Sequence, residues 1–112
     1  MTDNRPAPGD LDTAVPLAGL VQYQPGAVVS RTVLKRTSGT VTAFAFDQGE
    51  GLSEHTAAFD ALVVLIEGSA EITVAGQPQR VTVGDILRLP AGRPHALKAL
   101  SRFKMLLVMI RE

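Results

Sequence analysis

Between residues 28 and 110 the chain is cut into eight short segments, and this punctuation limits its fold more than any other feature. Segments 28–34, 39–46, 61–66, 70–75, 79–83, 86–89, 95–100 and 103–110 are rich in β-branched residues or alternate apolar with polar positions. That is the pattern of strands. Turn-forming stretches separate them: Asp47-Gln48-Gly49-Glu50-Gly51, Glu67-Gly68-Ser69, Ala75-Gly76-Gln77-Pro78, Gly84-Asp85 and Pro90-Ala91-Gly92-Arg93-Pro94. A helix has room only as a short piece near 53–60 or within the N-terminal segment. Seven or eight short strands joined by such turns imply a β-sandwich or barrel.

A chain of 112 residues fits one domain, which at this size buries roughly two thirds of the surface exposed by the unfolded chain. Residues 1–19 contain Pro6, Pro8 and Pro16, with Pro25 just beyond. We expect 1–19 to be a flexible or partly ordered segment and 20–112 to be the single folded domain. Eleven basic residues balance eleven acidic ones without a long run of either, so nucleic acid is not the expected partner. No apolar run approaches the 18 residues or so of a membrane span, and residues 1–12 lack a signal peptide's apolar stretch. The absence of cysteine fits a reducing compartment, and a soluble cytoplasmic protein is the expectation.

Segment 61–66 is apolar on both faces, Leu62, Val64 and Ile66 opposing Val63 and Leu65, and 105–110 repeats the feature. A sheet with one wet face should instead alternate. The outer rows therefore need cover, either from the chain's own residues 17–23 and 28–34 or from a second copy. A homodimer is expected on this ground, because each exposed Leu or Ile forgoes roughly 1.5–3 kcal/mol of burial.

The chain has only two histidines. His55 follows a Gly-rich turn, and His95 follows Pro90-x-Gly92-x-Pro94 about forty residues later. Each edges a strand, where side chains reach into the end of a barrel and small-molecule sites form. No Gly-x-Gly-x-x-Gly, phosphate loop or Gly-x-Ser-x-Gly elbow is present, and no catalytic residue is assigned.

Gly49-(x5)-His55 followed by Gly68 resembles the first motif of the cupin superfamily. Gly84-(x5)-Pro90-x-Gly92-xx-His95-xxx-Ala99 is similar to its second motif at every position but the last, where the pattern has Asn. The resemblance implies an all-β double-stranded β-helix, the jelly-roll barrel of RmlC-like cupins, and dimers are common in that family. It also implies that His55 and His95 correspond to the first and last metal-binding histidines. The family's second histidine falls on Ala57 and its glutamate on Ala61, so half of the usual shell is missing. Asp60 adjoins the glutamate position, but alternation sends it to the opposite face.

Two imidazoles can still hold a divalent ion weakly, be it zinc, nickel, iron, manganese or copper, if water or a small chelating ligand completes the shell. The alternative is a metal-free pocket in which the imidazoles orient a small organic ligand without catalysis. Parity places Leu97 and Ala99 beside His95, and Ala61, Val63 and Leu65 on one face. With Ala57, Phe44, Phe46 and Met105, the last sharing its side with Leu107 and Met109, they outline a mostly apolar pocket.

Overall fold

The computed structural model describes residues 11–111. The expectation for residues 1–10 lies outside them. The described residues form nine strands: β1 (Val28–Arg36), β2 (Gly39–Phe46), β3 (Gly51–His55), β4 (Ala61–Glu67), β5 (Ser69–Val74), β6 (Gln77–Thr82), β7 (Ile86–Leu89), β8 (His95–Ala99) and β9 (Phe103–Ile110). The helical element among the described residues is one 3-10 turn, Leu17–Gly19. The stretch 53–60, allowed above as a helical piece, instead finishes β3 and continues as a loop.

The strands make two antiparallel sheets, β1-β2-β9-β4-β7 and β3-β8-β5-β6. This is the jelly-roll barrel. Period-two alternation brings Phe46, Ala61, Val63, Leu65, Ala70, Ile72, Val81, Leu89, Leu97, Ala99, Phe103 and Met105 into one buried cluster between the sheets. At one end Phe46 stacks on Phe103, with ring centroids 4.3 Å apart. The loops 47–50 and 100–102 close that end. Loops 56–60 and 90–94 and the turn at Ala75-Gly76 gather at the other. Ala75 and Gly76 take φ of 50° and 80°, the left-handed pair a two-residue hairpin turn demands, and Val74 faces Gln77 across it.

The outer face of the larger sheet is partly covered by the chain itself. Leu20 and Val21 are buried against Ala43 and Ala45, and Val15, Tyr23, Val29, Val33 and Leu106 pack around them. Polar groups fasten this strap. The Lys104 ammonium, on a buried side chain of β9, donates to the Ala18 carbonyl at 2.7 Å. The Arg31 guanidinium donates to the Leu20 carbonyl at 3.1 Å, and the Tyr23 hydroxyl to Glu67 Oε1 at 2.6 Å. Burial, and then the adjoining Glu67 carboxylate, hold the Tyr23 phenol well above its ordinary pKa, while Arg102 acts the other way.

Beyond the strap the face carries an apolar row that ends at exposed Arg88 of β7, opposite Leu62. Leu34, Val41, Val108 and Leu62 lie in register across four strands, while Ile86 and Ile110 are 63% and 56% exposed.

Candidate functional site

His95 is the first residue of β8 and points inward, 5% exposed, with Leu97 and Ala99 following on the same face. His55 is the last residue of β3 and stays exposed, and its reach toward His95 depends on an irregularity in the strand. Leu52 pairs with Leu97 and His55 with His95, so three steps along β3 match two along β8. Such a bulge shifts the alternation by one residue. Leu52, packed on the core, and His55 thereby reach the same side.

The two rings meet edge to face, with centroids 4.3 Å apart and planes at 73°, and their Nε2 atoms are 3.0 Å apart. Their hydrogen bonds constrain the protons. His55 Nδ1 lies 2.8 Å from the Ser53 carbonyl oxygen, which can only accept. In the neutral ring Nδ1 therefore carries the hydrogen, and Nε2 presents a lone pair. A neutral His95 must then donate from its own Nε2, which leaves its buried Nδ1 without a hydrogen-bond partner. Burial lowers the His95 pKa, and the neighbouring His55 lowers it further.

A separation of 3.0 Å suits an N–H···N hydrogen bond. It also lies near the spacing of two nitrogens bound side by side to one ion, about 2.9–3.4 Å for metal–nitrogen bonds of about 2.0–2.1 Å. The spacing alone is compatible with either arrangement. The rest of a metal shell is missing: no group of three or more His, Cys, Asp or Glu able to hold a metal occurs among the described residues. The family's remaining donor positions hold the methyl groups of Ala57 and Ala61. Of the positions that the cupin motifs give to metal ligands, only those of His55 and His95 carry a side chain able to donate to a metal.

The expected pocket residues divide by depth. Ala61, buried at the start of β4, pairs with Leu89 and Met109 at the histidine end. One step deeper lie Val63, opposite Leu107, and Leu97, opposite Ile72; Phe44, Met105 and Leu65 form the next row across three strands, with Ala99 opposite Ala70, and Phe46 lies beyond on Phe103. Ala57 stays in the β3–β4 loop, half-buried, where its carbonyl accepts from Gly92 N–H at 2.8 Å. Val74, directly across from His95, was not singled out from the sequence, nor was Leu89. Val74 continues the period-two row of Ala70 and Ile72, and that was the available signal. A cavity of about 310 Å³ lies elsewhere, lined by Ala58, Phe59, Asp60, Ala91 and Ile110 and by neither histidine.

Comparison with known proteins agrees with this architecture. The cupin-domain family model matches residues 43–111, more than half of the chain. A conserved protein of unknown function from Streptococcus pyogenes is 32% identical with a TM-score of 0.87, over 99% of this chain and 96% of that one. A cupin superfamily protein from Desulfitobacterium hafniense is 29% identical with a TM-score of 0.86, over 98% and 97%. A Cupin 2 conserved barrel domain protein from Leptotrichia buccalis is 38% identical with a TM-score of 0.81, over 85% of this chain and 46% of that one. No curated protein matches the sequence. No helix among the described residues is long and apolar enough to cross a membrane.

Proposed function

The chain belongs to the cupin superfamily, and from that premise we propose that it binds a small organic ligand at the histidine end of its barrel, through His55 and His95 and a weakly held divalent ion. The observation that carries this reading is the approach of the two Nε2 atoms to 3.0 Å. Zinc, nickel, iron, manganese and copper all accept imidazole nitrogen. When bound, the ion supplies a positive centre for ligand oxygens. His55 and His95 hold it, the Ser53 carbonyl fixes the His55 tautomer, and Val74, Ala61 and Met109 form apolar walls. With Ala57 and Ala61 at the other donor positions, a ligand offering two oxygens gains more than one offering a single oxygen.

A metal-free reading rests on its own observation. With His95 neutral, its Nε2–H and the His55 Nε2 lone pair satisfy each other, and a carbonyl or carboxylic ligand that parts the rings takes up that donor and acceptor with no catalysis required.

Calorimetry on tag-free protein at pH 7.5 tests the metal reading. Nickel or zinc should bind at one ion per chain, and more weakly as pH falls through the imidazole range, because proton and metal compete for the same lone pairs. Chelator should lower the melting temperature by at most roughly 11–22 °C, since even saturation at about a hundred times Kd contributes about 2.7 kcal/mol. No heat with any of the five metals would leave the metal-free reading. Collapse of the fold on chelation would contradict the two-ligand site.

We further propose a cytoplasmic homodimer that packs the apolar outer faces together, around Leu34, Leu62, Ile86 and Val108. The strap's apolar cluster ends at Leu106, and the support for the dimer is the row beyond it. Sedimentation equilibrium should give twice the 11.9 kDa chain mass. A monomer at every concentration would overturn the dimer.

A further inference from the structure

We propose that Asp60 is a positioning residue: its carboxylate holds the loop before His95, and so sets where His95 meets His55. The inference rests on the histidine pair being the binding site. His95 opens β8, paired with His55 on one side and Val74 on the other, and the 90–94 loop leads directly into that pairing; Ala91, Gly92 and Arg93 of the loop are exposed.

Three bonds fasten this loop to its neighbours. Gly92 N–H donates to the Ala57 carbonyl at 2.8 Å, Ala75 N–H to the Pro94 carbonyl at 2.8 Å, and Ala91 N–H to Asp60 Oδ1 at 2.7 Å. The first two run from backbone to backbone. Asp60 supplies the one made by a side chain, a short bond to an ionised acceptor, stronger than its neutral counterparts. It belongs to the loop that His55 leads into, so each histidine's loop is tied to the other's.

Asp60 is itself anchored. Its carbonyl accepts from Ile110 N–H at 3.1 Å at the end of β9, and Ala61, which follows, turns inward and is buried. The carboxylate therefore emerges on the outer side, away from the histidines, and borders the 310 Å³ cavity with Ala91. The same parity that denies Asp60 a place among the ligands lets it brace the loop from outside. A 3.0 Å contact between two rings tolerates only a fraction of an ångström of loop movement, so this brace acts on the site without touching what binds there.

The test compares Asp60→Ala with Asp60→Asn, whose amide oxygen still accepts. Two measurements are made: imidazole 1H–15N spectra of metal-free protein at pH 7.5, and nickel titration by calorimetry. In the Ala variant the Nε2 signals of His55 and His95 should shift or broaden, and nickel affinity should fall roughly tenfold, as for residues that orient metal ligands. Its melting temperature should stay within a few degrees. The Asn variant should restore both readouts. Wild-type ring signals in the Ala variant would overturn the proposal, as would an Asn variant that behaves like the Ala one. If wild-type protein binds no nickel, the metal reading fails separately, and the metal-free spectra still decide the role of Asp60.

Discussion

Substituting Gly68 by alanine should lower the melting temperature by roughly 12–24 °C, the equivalent of about 3 kcal/mol in a domain of about 100 residues. Gly68 joins β4 to β5 with φ of 78°, a conformation costing an L-residue about 1–2 kcal/mol. Space compounds the strain. A Cβ there would overlap the Arg102 carbonyl oxygen and lie 2.8 Å from Phe103 Cα, both of them backbone. Neither can swing aside, and Phe103 is the fully buried partner of Phe46. Gly76 provides the control, because its φ is 80° but a Cβ would meet nothing within 4 Å. Gly76→Ala should therefore cost only the conformational part, about 1–2 kcal/mol. Equal melting temperatures for the two variants would contradict this account of the barrel's closed end.

The second large effect concerns His95. Replacing it by glutamine should abolish metal binding and also change how stability depends on pH. Its folded-state pKa is lowered, first by burial and then by His55, whereas in the unfolded chain it titrates near about 6.5. As pH falls below that value the unfolded chain takes up the proton first. Stability is therefore full above the unfolded pKa and declines as pH falls toward the folded one. Urea unfolding at pH 7.5, 6.5 and 5.5 should show the metal-free wild type losing more stability than His95→Gln. His55→Gln should fall between them, since it removes the secondary cause of the shift while leaving His95 buried. Parallel slopes for the wild type and His95→Gln would show that the buried imidazole carries no such linkage.

How far the site was legible follows from individual residues. The resemblance of Gly84 to His95 to the second cupin motif implies a loop and an inward histidine at the head of β8, and Leu97 and Ala99 then follow by parity. Alternation also put Ala61, Val63 and Leu65 on one face and Asp60 on the other. β3 was harder, because Gly51–His55 has one apolar side chain and four exposed residues, leaving no periodic signal. The bulge that turns His55 toward His95 is a matter of pairing between β3 and β8, and nothing local to residues 52–55 announces it. Likewise the parity of Asp60 was readable, but its partner, Ala91 N–H, lies 31 residues away and depends on how two loops meet. The apolar outer rows correctly signalled a need for cover. That Leu20 and Val21 supply part of it, latched through Lys104 and Tyr23, depends on contacts across the fold.

The central claim is that His55 and His95 form one cation site rather than two independent imidazoles. Imidazole 1H–15N spectra of tag-free protein, recorded through a titration with nickel(II) at pH 7.5, test it most directly. The Nε2 signals of both histidines should change together, at the same nickel concentration and with one ion per chain, and His55→Ala should leave His95 unresponsive. A response from one ring alone, or from His95 undiminished in the His55→Ala variant, would contradict it.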